Sequence, residues 1–305
     1  MPEPADHQRP LLPLVAAHAH PAPTEERPLA GLRYVDIETS RYCNRTCSWC
    51  PNEHTTARRA QQLMDWHLFA KITAELATAG FAGFFAFHNY NEPLANPRLF
   101  DEIAQVRRDI PEASPAIYTN GDLLSRTTVE RLGEEGVKYL RVTRYPHRAN
   151  VLPTFEALRR WLTKTKLLDG MDWQFTRVRQ GLAATWIDPA RGMKVEVIRP
   201  AIATYNDRGG TAAVPLAAPT RTAPCQMTDT SLSVDFRGQM KMCCNVVPDV
   251  TEHHRYVVGN VADHTLAELW MHPTMVDWRE RHALADWSRS PGCATCPQVL
   301  PETRR

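Results

Sequence analysis

The chain has 305 residues, 43% of them hydrophobic, and sets 36 basic side chains against 34 acidic ones for a formal charge of +2. That length holds one large domain, or a barrel-sized domain with a smaller appendage. The near balance of charge excludes a concentrated phosphate-binding face, so nucleic acid is not an expected partner. No apolar run is long enough to cross a bilayer, and no membrane partner is expected. The N-terminus makes a poor export signal, because Glu3 and Asp6 stand where basic residues belong and Pro10 and Pro13 interrupt the apolar stretch. The expected location is the cytoplasm.

Residues 1–30, rich in Pro, Ala and His with no hydrophobic period, read as a flexible arm. A strand is expected over Leu32 to Glu38, leading into the first cysteines. Asp65 is placed to N-cap an amphipathic helix through Ala79. A strand at Phe84 to Phe87, a helix at Leu99 to Arg108 and a strand at Ala116 to Thr119 follow, the last ended by Asn120-Gly121. Then come a helix near Thr127 to Glu135, a strand at Tyr139 to Thr143 and a helix at Thr154 to Lys166. Gln174 to Val178 and Lys194 to Ile198 complete the strands.

Alternating strands and helices imply an α/β fold with a parallel sheet and right-handed crossovers. The expectation is a partial (β/α)6 TIM-like barrel over 31–215, with its chemistry at the C-terminal strand ends. A smaller unit over 216–305 is expected to hold a hairpin across Ser231 to Met242, turning at Arg237-Gly238, and a helix at Leu266 to Trp270.

The eight cysteines fall in two groups, with none between Cys50 and Cys225. Without an export signal, clustered cysteines are expected as metal ligands rather than disulfides. Cys43, Cys47 and Cys50 sit in the segment CNRTCSWC, right after the first strand. Three thiolates can hold three irons of a [4Fe–4S] cube and leave the fourth iron open. A zinc loop completed by His54, or three unrelated thiols, are the alternatives.

This triad, with Trp49 just before its third cysteine, resembles the radical S-adenosylmethionine (SAM) superfamily. The resemblance implies an open iron that chelates SAM, an electron that cleaves it, and a 5'-deoxyadenosyl radical that takes a hydrogen from the substrate. It implies Trp49 against the adenine. The segment His88-Asn89-Tyr90-Asn91-Glu92-Pro93-Leu94 is similar to the family's Gly-Gly-Glu-Pro-Leu element, with Tyr90 and Asn91 in place of the glycines. Asn91 and Glu92 are thereby expected at the SAM amino group, Thr119 and Asn120 near the ribose, and Thr143 and Arg144 near the carboxylate or ribose. Standing alone, these segments read as ordinary turns and solvated strand ends.

Cys225, Cys243, Cys293 and Cys296 resemble the twitch domain, a shortened SPASM domain, and imply a second [4Fe–4S] cluster. On spacing alone a four-cysteine zinc site fits equally well. Cys243 and its neighbour Cys244 point to opposite faces if they lie on a strand, and the distance from Gly238 favours Cys243 as the ligand. Cys244 is then either a small buried apolar residue or a hydrogen donor to a substrate radical. The compact length and the spare thiol resemble the carbohydrate epimerases of antibiotic biosynthesis, the neomycin-type aminoglycoside epimerases among them. The resemblance implies an isomerase that inverts a sugar carbon, with Cys244 returning the hydrogen.

The rival expectation is a dehydrogenase of the butirosin type that oxidises an aminocyclitol alcohol to a ketone. Peptide modification ranks third, and a non-enzymatic iron–sulfur or zinc module last. A small carbohydrate substrate and a flavodoxin or ferredoxin as electron donor are the implied partners. Asp36, Glu38, Asp122 and Asp207 lie near expected strand ends and are candidates to meet a cationic sugar. Capping or solvation is the plain alternative for most of them.

Overall fold

The computed structural model describes residues 23–53, 61–148, 150–178, 181–202, 207–212 and 220–296. Most of the expected arm, His54 and the expected boundary at residue 215 lie outside them. The last residues of the expected arm are not loose, since Leu29 packs against the main core.

β1 (Tyr34–Ile37), β2 (Phe84–Phe87), β3 (Ser114–Thr119) and β4 (Tyr139–Thr143) run parallel, side by side. Between them pass α1 (Trp66–Thr78), α2 (Leu99–Asp109) and α3 (Arg126–Glu134), the crossovers that parallel pairing requires. Asp65 accepts the His67 and Leu68 N–H groups at 2.8 and 3.3 Å, capping α1 as expected. Ser125 caps α3, and Thr154 caps α4 (Phe155–Lys164), in the same way.

Alternation along the strands divides the sheet into two faces. Val35, Ile37, Phe85, Phe87, Leu140 and Val142 share one core with apolar residues of the helices, among them Phe69, Ile72 and Leu132. Ala86, Ala116 and Tyr139 form a separate inward cluster with Tyr34, Phe84 and Tyr118. The inward face is therefore polar and aromatic rather than aliphatic.

The expected barrel needs one correction. Gln174–Val178 (β5) is not a further parallel strand. It pairs antiparallel with β6 (Gly181–Ile187), which pairs antiparallel with β7 (Lys194–Pro200), and β7 returns parallel to β4. β6 escapes the sequence pattern because its glycine and alanines carry little strand preference.

The remaining parallel strand comes from the C-terminal segment. After the short α5 (Met227–Thr230), β8 (Ser231–Val234) pairs parallel with β1, and β9 (Gln239–Lys241) and β10 (Val257–Asn260) follow antiparallel. One open ten-stranded sheet results, in the order β10-β9-β8-β1-β2-β3-β4-β7-β6-β5. The expected hairpin is present, with Gly238 in the left-handed region at φ 83°.

α6 (Leu266–Trp270) matches expectation, whereas α7 (Pro273–Ala283) was not foreseen. Its buried stripe of Met275, Trp278, Arg279 and His282 has helical spacing but is half polar. Arg279 is tolerated there because it donates to the Thr228 and Trp270 carbonyls at 2.9 and 2.7 Å. No helix among the described residues is long and apolar enough to cross a membrane.

Candidate active site

The first cysteine loop leaves the C-terminal end of β1, held by the Ser40–Leu63 bridge and by the Cys50 N–H, which donates to the Cys47 carbonyl at 2.9 Å. Burial pushes the Cys47 thiol up to about 12; Cys50, Cys43 and Asp122 add to the rise, and Arg45 opposes it. Three thiolates cannot share this loop without a cation among them, which fits a polycationic iron core. Arg45 itself grips Asp122 with Nε at 2.5 Å and with Nη2.

Glu92, after β2, is almost wholly buried. Its carboxylate accepts from Thr119 Oγ1 at 2.6 Å, the Asn120 N–H at 2.8 Å and the Leu94 N–H at 3.1 Å. Burial nonetheless raises its pKa. Glu92 thus fastens the β2 loop to the end of β3, and its side chain is engaged within the protein. Its N–H donates to the Tyr42 carbonyl beside Cys43 at 2.8 Å, joining cysteine loop, β2 loop and β3.

Several buried polar atoms at this end lack a hydrogen-bond partner among the described residues: Asn91 Oδ1, Asn52 Oδ1 and Trp49 Nε1. Trp49 stands apart from the main core in a small cluster with Ile202, Cys47 and Tyr145, its ring 6.0 Å from that of Tyr145. A large planar, polar ligand would satisfy these groups, as SAM does chemically. Thr143 ends β4 opposite Ile198. Arg144 donates to the Asn120 carbonyl at 2.6 Å and to Asp122 at 2.9 Å, so the structure ties it to the protein.

Of the four candidate substrate carboxylates, Asp122 is removed from that role by Arg45 and Arg144. Burial would raise its pKa, but their hydrogen bonds hold it below the usual carboxylate range. Asp207 accepts the Gly209 N–H at 3.2 Å and serves its own loop. Glu38 accepts the Tyr90 N–H at 3.0 Å. Asp36 alone lies in the middle of the inward face.

The second cysteine group converges. Cys225, Cys243, Cys293 and Cys296 line one small cavity with Asn245 and His282. Burial raises Cys243, and Cys244, Cys293 and Cys296 push it further; burial carries Cys293 up to about 12, with Cys296 and Cys225 adding to it. Among the described residues no group of His, Cys, Asp or Glu is gathered closely enough to hold a single metal ion. Around one zinc, thiolates stand about 3.8 Å apart, given a Zn–S bond of about 2.3 Å, and a cube spreads them wider.

Cys244 lies beyond the strand, in a turn, so strand alternation is not what separates it from Cys243. Its thiol, pushed up to about 12 by burial, senses Asp36, Arg208 and Lys241 and, after them, Cys296. Near it His88 stacks on Tyr118 at 4.3 Å and hydrogen-bonds the Tyr34 hydroxyl at 2.7 Å, and burial lowers it to about 3. Tyr139 donates to Glu196 at 2.6 Å. Lys241 and Arg208 escaped the sequence reading, and His88 and Arg45 received no role there although they lie inside the quoted segments. Only the alternating positions within YVDI and QMK carried a signal for the interior, and only once the strands are placed beside each other.

An open mixed sheet with a parallel centre, a three-cysteine loop after its first strand and a four-cysteine cavity beside its last hairpin defines a radical SAM core joined to an iron–sulfur-binding appendage. Residues 37–143 match the radical SAM superfamily and residues 225–297 match the SPASM iron–sulfur cluster-binding domain; the chain carries both domains and takes SAM and two iron–sulfur clusters as cofactors.

The chain is 25% identical over 270 residues, 88% of its length and 94% of the relative's, to the S-adenosyl-L-methionine-dependent 2-deoxy-scyllo-inosamine dehydrogenase of Niallia circulans. Its fold matches BtrN in complex with AdoMet and 2-DOIA, with a TM-score of 0.67 and 23% identity over 90% of this chain and 96% of that one. BtrN in an open conformation matches with a TM-score of 0.59 and 20% identity, over 88% and 93%.

These relatives overturn the expectation of an epimerase and of an isomerase. The named relative is a dehydrogenase, an oxidoreductase. The spare thiol misled because both reactions share one cysteine framework. A neighbouring cysteine says nothing by itself about whether the electron left on the substrate is removed or quenched. The hydrogen-returning role expected of Cys244 falls with the epimerase.

Proposed function

We propose that this chain is a radical SAM dehydrogenase that oxidises one secondary alcohol of an aminocyclitol to a ketone. The likeness to the 2-deoxy-scyllo-inosamine dehydrogenase over most of both chains carries this reading. Cys43, Cys47 and Cys50 would hold the first cluster, and Cys225, Cys243, Cys293 and Cys296 the second. Trp49, Asn91, the Glu92 loop, Thr119, Asn120, Thr143 and Arg144 would surround SAM. When bound, these groups supply a hydrogen-abstracting radical on one side of the interior and an electron acceptor on the other.

The chain's own residues fix the geometry between those two sides. Glu92 clamps the β2 loop to β3, the tie between Arg45 and Asp122 fixes the cysteine loop, and the β8–β1 pairing sets the second cysteine group against the barrel. The substrate would give up a hydrogen atom to the SAM-derived radical, a proton to water and an electron to the second cluster, and its C–OH would become C=O. A flavodoxin- or ferredoxin-like protein would supply reducing electrons to the first cluster. Eight free cysteines suit the reducing cytoplasm.

The test is anaerobic incubation of the reconstituted protein with SAM, dithionite and 2-deoxy-scyllo-inosamine. Release of 5'-deoxyadenosine with a product two hydrogens lighter supports the reading. A product of unchanged mass overturns it.

A further inference from the structure

Asp36, Ser233 and Lys241 stand in one lateral row across three strands. Asp36 pairs with Ser233 between β1 and β8, and Ser233 pairs with Lys241 between β8 and β9. In-register neighbours project to the same side of a sheet. On β2 and β3 the row continues into Ala86 and Ala116, whose small side chains belong to the inward cluster.

All three polar residues are buried to within 1% of full burial. The Ser233 hydroxyl donates to Asp36 Oδ1 at 2.6 Å, which fixes the carboxylate. Among the described residues its other oxygen, Oδ2, has no hydrogen-bond partner, and neither has Lys241 Nζ, 5.6 Å from the centre of the Tyr90 ring. A buried carboxylate and a buried ammonium left incomplete in the same row are costly unless a ligand completes them. Burial raises the Asp36 pKa, and Lys241 draws it back down.

We propose that Asp36 and Lys241 are the specificity pair of the interior and grip one polar edge of the substrate. Asp36 Oδ2 accepts from an amino or hydroxyl group, and Lys241 Nζ donates to the hydroxyl oxygen on the adjacent carbon. The ligand class is a cyclic vicinal amino alcohol or diol. A lone ammonium group would meet Lys241 as a like charge, so the pair selects an edge that presents both a donor and an acceptor. This deepens the dehydrogenase reading and rests on it.

The experiment is equilibrium binding to the reconstituted, SAM-loaded protein without reductant, so that nothing turns over. The probes are 2-deoxy-scyllo-inosamine and its analogue lacking the hydroxyl beside the amine. Wild type is expected to bind the analogue roughly tenfold more weakly, the loss of one hydrogen bond to a charged group. Lys241→Met is expected to bind the parent compound roughly tenfold more weakly and to discriminate between the two probes hardly at all, the coupling that a direct contact produces.

Iron content and SAM affinity should stay at wild-type levels in the variant. If Lys241→Met fails to take up iron, Asp36→Asn, which keeps the same shape, carries the same cycle on the amino group. Full discrimination by Lys241→Met, unchanged affinity, or failure of wild type to bind either probe overturns the proposal. Coupled binding without ketone formation under reductant overturns the reaction alone. Ketone formation without coupling overturns the specificity pair alone.

Discussion

Cys243, but not its neighbour Cys244, lines the cavity shared by Cys225, Cys293 and Cys296, and the Cys244 thiol senses Asp36, Arg208 and Lys241 ahead of Cys296. Cys243→Ala should therefore remove the iron of one whole cluster. Cys244→Ala should leave iron content at the wild-type level and perturb only the interior. Iron analysis and electron paramagnetic resonance of the two reconstituted variants check this, and equal iron loss in both would contradict it.

The Glu92 carboxylate ties the β2 loop to the end of β3. Glu92→Gln keeps the shape but turns an NH2 group toward the Asn120 N–H or the Thr119 hydroxyl, leaving buried groups mismatched. The expected loss is about 1–3 kcal/mol of stability. SAM affinity should fall with it, because Asn91 and Asn120 shift together. Urea unfolding and SAM titration of the same preparation measure the two effects.

Asp36 and His88 work against each other across the acid range. Burial raises Asp36 from 3.8 to about 6, so the folded chain keeps a proton that the unfolded chain has lost, and this contribution to stability grows as pH falls from 6 to 3.8. Burial lowers His88 from 6.5 to about 3, so its contribution is lost as pH falls from 6.5 to 3. Lys241, Arg208, Arg141, Cys244, Tyr34 and Tyr118 are among the charged or titratable groups facing the pair. Asp36→Asn should be most stabilised relative to wild type above pH 6, and that advantage should shrink as pH falls toward 3.8. Melting temperatures across the range test the sign.

Gly238 turns the β8–β9 hairpin at φ 83°, and an added Cβ would stand 2.6 Å from Leu68 Cδ2 and 2.7 Å from Asn260 Oδ1. Gly238→Ala should lose about 1–2 kcal/mol from the backbone alone. Because the turn sets the position of Lys241 and Cys243, the second cluster should also assemble poorly. Iron content beside a denaturation curve reads both.

The helices with caps and clean apolar stripes were legible in the sequence, α1 from Asp65 onward being the clearest. The parallel strands were legible because Phe84–Phe87 and Tyr139–Thr143 are short apolar runs. β6 and α7 were not, since alanine carries little strand preference and Arg279 with His282 breaks a helical stripe. The cysteines expected as cluster ligands stood out by spacing, although spacing alone left Cys243 and Cys244 both open. The interior did not, because Asp36 and Lys241 meet only through a strand that lies between them in space and some two hundred residues away from Asp36 in the chain. The reaction outcome was legible least of all: it depends on where an electron goes, and a count of thiols does not record that.

β8 covers the outer edge of β1, so for most of its synthesis this protein carries an unprotected strand edge. The ribosome delivers β1 through β7 before residue 231 is made, and until then β1 can be captured by any passing strand. The segment that brings the second cysteine group is thus also the seal on the first domain's sheet. A chain cut short before Ser231 should aggregate rather than survive as a half-enzyme, and expression of the whole gene should depend on chaperones that hold that edge.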